Sequence, residues 1–183
     1  MFFDLPDPIL FRPANLRDVP KIEMIEKESF SDEVQESADV FKRRIELFRD
    51  GFLVAEDRDT GEVGAYICSE LFGADEPVNA DTLKIGHFPD ESHQKDGECL
   101  YISSLAVGKA WRGHKIGAAL FLALEKRVLS RYPSVRRGLL VVSENQTNAR
   151  TIYEKNGYSA TDRLPAFFGT AEDGIVMEKT IRA

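Results

Sequence analysis

The stretch between Leu100 and Val128 constrains the fold more than any other part of this 183-residue chain. An apolar, strand-like run ends at Val107 and is followed by a basic turn that contains two glycines. Behind the turn, apolar residues recur at the spacing of one helical face, at Ile116, Leu120, Leu124 and Val128. The pattern therefore predicts a strand, a turn and then a helix that begins near Lys115.

The predicted turn is suited to bind a phosphate-bearing ligand. The first amide N–H groups of a helix have no intrahelical partner, and the helix dipole places positive charge at the same end. Gly113 and Gly117 would let the backbone approach such a ligand closely. The P-loop pattern fails because His114 follows Gly113, and the dinucleotide pattern GxGxxG is absent. A plain helix start with a basic surface cap is the structural alternative.

Composition and charge limit the class of protein. The net charge of −7 argues against a nucleic-acid-binding surface, which needs broad positive potential, whereas a negative surface favours cationic substrates such as amines. Cys68 and Cys99 lie in apolar runs, which predicts buried thiols, and the three histidines show no metal-ligand spacing. No apolar run reaches the roughly 18 residues of a membrane helix, and the N-terminus lacks a basic signal region. We therefore expect a cytoplasmic protein without metal, nucleic acid or membrane as a partner, and a homodimer remains open.

The remaining pattern predicts one domain over residues 1–183 of the α/β class. Short apolar runs in a hairpin, followed by runs that alternate with helices, indicate a mixed, mostly antiparallel sheet of about 6–7 strands with about four flanking helices. A helix is expected from Ser37 or Ala38 to Phe48, with Lys42, Arg43 and Arg44 on its solvated face. The polar stretch at about residues 73–97 is too long for an ordinary connection. It is interpreted as a mobile cover near the substrate side, with a disordered insert as the alternative.

Two segments resemble the motifs of a known family. Val107 and the segment Arg112-Gly113-His114-Lys115-Ile116-Gly117-Ala118 resemble the RxxGxG/A signature by which GNAT N-acetyltransferases hold the pyrophosphate of acetyl-coenzyme A (acetyl-CoA). Lys115 stands where the family usually has glycine. Ala149 and the segment Tyr153-Glu154-Lys155-Asn156-Gly157-Tyr158 resemble the second GNAT motif, AxxxYEKxG[FY]. A weaker resemblance, to the serotonin (arylalkylamine) N-acetyltransferase branch, rests on segments 11–13, 28–33, 51–55 and 105–107.

The resemblance implies the acyl-CoA N-acyltransferase fold, in which the strands ending at Val107 and beginning near Leu139 splay apart around acetyl-CoA. The implied cofactor-binding residues are Leu105, Ala106, Val107, Arg112, Gly113, His114, Lys115, Ile116, Gly117, Ala118, Gln146, Asn148 and Tyr153. Whether Gln146 or Asn148 reaches the pantetheine arm stays open, because the family often has asparagine at the position of Gln146.

The chemistry of thioester aminolysis predicts the catalytic residues. An alkylamine with a pKa of about 10.4 is protonated at neutral pH, so a base must act before the amine attacks acetyl-CoA directly in a ternary complex. The branch's histidine pair is replaced by Tyr101 and Ser103. Some relatives use a glutamate just after the first helix instead, so the resemblance implies Glu33 as the first candidate base, with a plain helix-end acid as the alternative reading of this residue. Water held by Tyr101 and Ser103 is the second candidate. A backbone N–H near Leu105 would stabilise the oxyanion, and Tyr153 would protonate the departing thiolate.

Three functions remain open from the sequence. The first is an acetyl-CoA-dependent N-acetyltransferase acting on a primary amine, such as an arylalkylamine or a polyamine, with Phe30, Tyr101 and Phe167 as candidate pocket walls. Core packing is the simpler explanation for the same aromatic residues. The second is acetylation of protein N-termini, and the third is a coenzyme A (CoA) binding module without turnover.

Overall fold

The computed structural model describes residues 8–169 and 171–181. Seven strands run over β1 Ile9–Pro13, β2 Phe52–Asp57, β3 Val63–Phe72, β4 Cys99–Val107, β5 Arg137–Ser143, β6 Ser159–Leu164 and β7 Gly174–Thr180. Four α-helices run over α1 Val19–Ser29, α2 Ala38–Leu47, α3 Ile116–Arg131 and α4 Thr147–Lys155. Short 3-10 helices cover Leu16–Asp18, Arg49–Gly51, Pro89–Glu91 and Lys109–Trp111.

The strands form one sheet in the order β1-β2-β3-β4-β5-β7-β6. Only β4 and β5 pair in parallel, and all other neighbours are antiparallel. The predicted mixed, mostly antiparallel sheet with four helices is confirmed. The parallel pair follows from the chain path, because α3 connects β4 to β5 as a crossover helix.

Both faces of the sheet are covered, which explains why all ten residues of β3 are buried. On one face, α1 and α2 pack against alternate residues of the central strands such as Val54 and Tyr66. On the other face, α3 and α4 pack against the intervening positions such as Leu53 and Ile67. The period-2 alternation of strand side chains therefore assigns each residue to one of two cores.

The solvated face predicted for α2 is wrong at one position. Lys42 is exposed and Arg43 is half-buried, but Arg44 is buried, with its side chain 1% exposed. One helical turn after Val40 and Phe41, Arg44 lies on the same inward face as these two core residues. It is held there by Glu36 and by Glu70 of β3, whose carboxylates neutralise its charge.

The segment between β3 and β4 packs against the sheet, so the disordered-insert alternative is not supported. Leu83 and His87 are 1% and 5% exposed, and His87 contacts the carboxylate of Glu70 at 3.0 Å. Gln94 donates its backbone N–H to the Leu71 carbonyl at 2.8 Å.

Some predictions fall at the limits of the described structure. Residues 1–7, which carry much of the argument against a targeting segment, lie outside the described residues. Among the helices of the described ranges, none has the length and apolarity needed to span a bilayer. The same ranges contain no group of three or more metal-ligating side chains arranged to hold an ion.

Candidate active site

The opening between β4 and β5 is the central feature of the candidate site. The two strands pair only from Cys99 to Ile102 of β4, opposite Arg137 to Leu140 of β5. Beyond this point β4 stays with β3, up to Val107, whereas β5 stays with β7. The strands therefore splay apart and leave one edge of β4 without a strand partner.

The unpaired edge of β4 directs backbone groups into this opening. Gly108 donates its N–H to the Gly64 carbonyl at 2.9 Å, so these two residues form a hydrogen-bonded pair. In an antiparallel pair every second residue is hydrogen-bonded to the partner strand, so Ala106 is the next residue of β4 whose backbone groups bond to β3. Leu105 and Val107 therefore point their N–H and C=O groups away from β3. The Val107 carbonyl accepts a hydrogen bond from Arg112 Nε at 2.9 Å, which fixes the arginine beside the strand end.

The turn after β4 presents the start of α3 to the same opening. Lys115 is the N-cap and adopts a left-handed conformation with φ of +60°, and Gly113 has φ of +86°. The side chain at Lys115 is thus carried through a turn that favours glycine, as its position in the motif predicted. The amides of Ile116, Gly117 and Ala118, which lack intrahelical partners, follow directly.

A cleft of about 540 Å³ lies where these elements meet, and we call it the cofactor cleft. Its walls combine the start of α3, the end of β4 and the first turns of α4. The predicted residues that line it are Leu105, Val107, Arg112, Gly113, Lys115, Ile116, Gly117, Ala118, Gln146, Asn148 and Tyr153. Gln146 and Asn148 both reach it, so both amides remain candidates for the pantetheine arm.

A second, smaller cavity of about 70 Å³ lies deeper between the splayed strands, and we call it the inner pocket. Its lining includes Glu26 of α1, both serines at 103 and 104 of β4, Val141 of β5 and Phe168 of the β6–β7 turn. Three residues, Leu105, Gln146 and Tyr153, line both cavities. A group bound in the cofactor cleft can therefore meet a group bound in the inner pocket beside Tyr153.

Four predicted site residues lie outside these two cavities. Ala106 is buried on the α1 side of the sheet, and His114 faces a neighbouring hollow beside Trp111. Tyr101 stacks on Phe72 with ring centroids 4.8 Å apart and donates to the Leu83 carbonyl at 3.4 Å. Glu33 is exposed in the turn between α1 and α2. Its role as a base stays a prediction.

Ser103 reaches the inner pocket without Tyr101, because a β-bulge separates them. Ser69 pairs with Ile102 and Cys68 pairs with Ser104, so Ser103 is the extra residue of the bulge, and its hydroxyl donates to the Cys68 carbonyl at 3.2 Å. Of the two side chains predicted to hold a water, only Ser103 lines the inner pocket, and the water itself stays a prediction. Of the three aromatic residues predicted as pocket walls, only Phe30 lines the inner pocket.

The sequence reasoning missed Trp111 and Glu26. Trp111 lines the cofactor cleft and packs against Gly64, where an added Cβ would lie 1.9 Å from the indole ring. Its position inside the basic turn was a usable signal. Glu26 is only 2% exposed and lines the inner pocket. A usable signal was its spacing, because it follows the core residue Ile22 by one helical turn.

Comparison with known proteins agrees with this geometry. Residues 19–158 match the model of the acetyltransferase (GNAT) family. The chain belongs to the GNAT family. Comparison with curated proteins returns no match.

Solved GNAT structures share the fold at low sequence identity. The loading GNATL domain of CurA from Lyngbya majuscula has a TM-score of 0.78 at 12% identity, covering 95% of this chain and 98% of that one. NAA60 from Arabidopsis thaliana, in complex with a bisubstrate analogue, has a TM-score of 0.71 at 20% identity, and the match covers 94% of this chain and 98% of that one. The ribosomal-protein-S18-alanine N-acetyltransferase from Escherichia coli has a TM-score of 0.68 at 16% identity, and the match covers 96% of this chain and 95% of that one.

The GNAT cleft of this chain fits the parts of acetyl-CoA. Free amides at the start of α3, with Arg112 and Lys115 beside them, suit a pyrophosphate. Unpaired backbone groups of Leu105 suit the amides of a pantetheine arm, and apolar walls such as Ile152 suit its methylene groups. When bound, acetyl-CoA would supply the thioester and the thiol leaving group.

Tyr153 has the environment of a proton donor at the junction of the two cavities. Its ring packs at 5.0 Å from Phe121, and the residue is 7% exposed. Burial raises the pKa of Tyr153 to about 12, so the phenol is protonated throughout the neutral range. A protonated phenol at this position would be a suitable donor to the thiol leaving group that bound acetyl-CoA would supply.

Proposed function

We propose that this GNAT protein transfers an acetyl group from acetyl-CoA to the primary amine of a small molecule by direct attack in a ternary complex. The observation that carries the proposal is the meeting of the cofactor cleft and the inner pocket at Leu105, Gln146 and Tyr153. Holding two reactants on either side of one junction removes much of the entropic barrier to a bimolecular reaction.

The residues at the junction have complementary roles in this proposal. The Leu105 N–H, directed away from β3, donates to the carbonyl oxygen as it gains negative charge. Tyr153 protonates the departing thiolate and regains a proton from the nitrogen of the new amide cation. The phenol therefore ends each cycle in the form in which it began.

The acceptor in this proposal is a small amine such as an arylalkylamine or a polyamine. The inner pocket has a volume of about 70 Å³, and it combines the carboxylate of Glu26 with the apolar side chains of Phe30 and Phe168. The turns above it approach closely, since a Cβ at Gly169 would lie 2.7 Å from Glu33 Oε2. This closeness favours a small amine over a peptide, which needs an open groove.

The proposal is tested by thiol release from acetyl-CoA in the presence of 2-phenylethylamine, spermidine or a peptide with a free N-terminus. We expect amine-dependent release that falls by about 10²–10⁴-fold in Tyr153→Phe, the range typical of a lost general acid. Tyr158→Phe is the matched control, because this buried tyrosine donates to Glu125 at 3.2 Å and lines neither cavity. Its turnover should stay near that of the wild type.

The alternatives give different results in the same assay. Release with the peptide alone would favour acetylation of protein N-termini. CoA binding measured by calorimetry, without thiol release for any amine, would favour a CoA-binding module and reject the enzyme. We assign the reaction to the cytoplasm, which is supported by the free, buried thiols of Cys68 and Cys99.

A further inference from the structure

A hydrogen-bonded chain of side chains links Ser104 in the wall of the inner pocket to the buried carboxylate of Glu26, another residue of the same lining. Ser104 lines the pocket, and its Oγ lies 2.9 Å from the hydroxyl of Tyr66. Tyr66 in turn donates a hydrogen bond to Glu26 Oε2. The other carboxylate oxygen, Oε1, accepts from the backbone N–H of Glu36 at 2.9 Å. Glu26 is thus fixed at the end of a continuous path from the pocket.

Charged and titratable groups face Glu26 from three directions. Tyr66 and Cys68 lie on β3, Glu36 precedes α2, and Arg44 lies on α2. Burial raises the pKa of Glu26 to about 7, against the opposing effect of the hydrogen bond from Tyr66. Burial also raises the pKa of Cys68 to about 12 and that of Tyr66 well above its ordinary value, so both are neutral. Glu26 is therefore the group in this path that changes charge near neutral pH.

We propose, on the basis of the acetyltransferase activity proposed above, that Glu26 is the general base that removes a proton from the acceptor ammonium through Ser104 and Tyr66. The ammonium gives a proton to Ser104 Oγ, Ser104 gives its hydroxyl proton to Tyr66, and Tyr66 gives its own to Glu26. The acceptor becomes a neutral amine with a free electron pair. Glu26 becomes a neutral acid and returns the proton to solvent after the product leaves.

This arrangement also defines the class of acceptor. The carboxylate at the end of the chain favours a cationic amine in the pocket and disfavours an acceptor that carries its own carboxylate. The apolar residues of the lining include Phe30, Val34, Ile85, Val141 and Phe168. We therefore infer an amine with one small apolar substituent and no acidic group.

The test is the pH dependence of kcat/KM with the panel amine that the wild type uses fastest. The wild type should lose activity about tenfold per pH unit below pH 7, as Glu26 becomes protonated. Glu26→Gln should lose about 10²–10³-fold at pH 7. The deficit in kcat/KM should shrink to about one- to tenfold at pH 9, because the free fraction of an amine with a pKa near 10 rises about a hundredfold over this interval. A purely structural defect would lower kcat/KM by the same factor at every pH.

Two further variants and a control complete the test. Tyr66→Phe cuts the path while keeping Glu26, so it should also lose activity, and its deficit in kcat/KM should shrink between pH 7 and pH 9 as that of Glu26→Gln does. Glu23→Gln makes the same chemical change one turn earlier on α1 and lines neither cavity, so it should match the wild type. CoA affinity by calorimetry confirms that each variant is folded.

The possible failures can be told apart. A wild-type protein that binds CoA but releases no thiol with any amine overturns both the proposed function and this inference. A wild type that turns over, with a Glu26→Gln variant whose deficit in kcat/KM is the same at pH 7 and pH 9, overturns the inference alone. The same holds if the deficit that shrinks between pH 7 and pH 9 is found in Glu33→Gln instead, because the base would then be Glu33.

Discussion

Replacing Arg44 by methionine should destabilise the protein far more than the same change at Arg43, its neighbour in the sequence. Both arginines form ion pairs. The Arg43 side chain is 37% exposed and pairs at the surface with Asp90 at 2.5 Å. The Arg44 side chain is 1% exposed and pairs with Glu36 and, through Nε at 3.1 Å, with Glu70. The two positions thus compare an exposed and a buried ion pair on one helix.

The magnitude follows from what the substitution leaves behind. Arg44→Met removes the cation but keeps two carboxylates that are at most 5% exposed. Removing one partner of a buried pair costs about 3–5 kcal/mol, a large share of the roughly 5–15 kcal/mol that keeps a typical domain folded. For a chain of this length that corresponds to a decrease in Tm of roughly 6–20 °C. Arg43→Met should stay close to the wild type, because exposed ion pairs are screened by water and salt.

The assay is urea and thermal unfolding of both variants at pH 7 and near pH 4. Burial raises the pKa of Glu70, but His87 and Arg44 outweigh it, so the pKa lies below its ordinary value. Ionised Glu70 therefore adds stability above its unfolded pKa of about 4.3, and this contribution is lost as the pH falls through the folded pKa. The difference in the free energy of unfolding between the wild type and Arg44→Met should therefore be smaller near pH 4 than at pH 7. Equal stability of the Arg43 and Arg44 variants at pH 7 would refute the reasoning.

Two further predictions concern the cofactor cleft and the segment between β3 and β4. Gly64→Ala should displace Trp111, whose ring lies 1.9 Å from the new Cβ, and weaken CoA binding about tenfold, or roughly 1.4 kcal/mol. Trp111 is the only tryptophan, so its fluorescence reports the displacement directly, and unchanged emission and affinity would contradict the prediction. The pKa of His87 should lie above 6.5, because the interaction with Glu70 outweighs the effect of burial. The pKa of His93 should lie below 6.5, because burial disfavours its charged form. His87 then stabilises the fold below pH 6.5, and this stabilisation is lost as the pH rises through its folded pKa. His93 has the opposite effect, because the folded state is destabilised as the pH falls below 6.5. An NMR titration in which the pKa of His93 exceeds that of His87 would reject both assignments.

Much of the fold was predictable from local patterns. The strand ending at Val107 and the helix beginning near Lys115 match the expected limits, because a glycine-containing turn separates them. The helix expected from Ser37 or Ala38 begins at Ala38, and Ser37 caps it by accepting from the Val40 N–H at 3.4 Å. The phosphate-binding turn was predictable for the same reason, since glycines and a helix start are local features.

The acceptor side of the site was less accessible to prediction, because it depends on contacts distant in sequence. Glu26 is one of several acids on α1; its spacing from Ile22 indicates the inward face, but its partner Tyr66, forty residues away, is a contact that the local pattern does not show. Arg44 belongs to a run of three basic residues, and a charge run normally forms a solvated helix face. Its burial depends on Glu70 across the core, which no pattern within α2 reveals.

The β-bulge at Ser103 explains why the two sides of the site come together. Leu100 and Ile102 face the α3 side, so strict alternation would place Ser104 there and turn Leu105 towards α1. The extra residue reverses this order, so that Ser104 contacts Tyr66 on the α1 side and Leu105 packs with the α3 core. One unpaired residue therefore places the proton path on one side of β4 and the edge of the cofactor cleft on the other. A sequence read with period 2 cannot locate that residue, because the bulge is defined by pairing with β3.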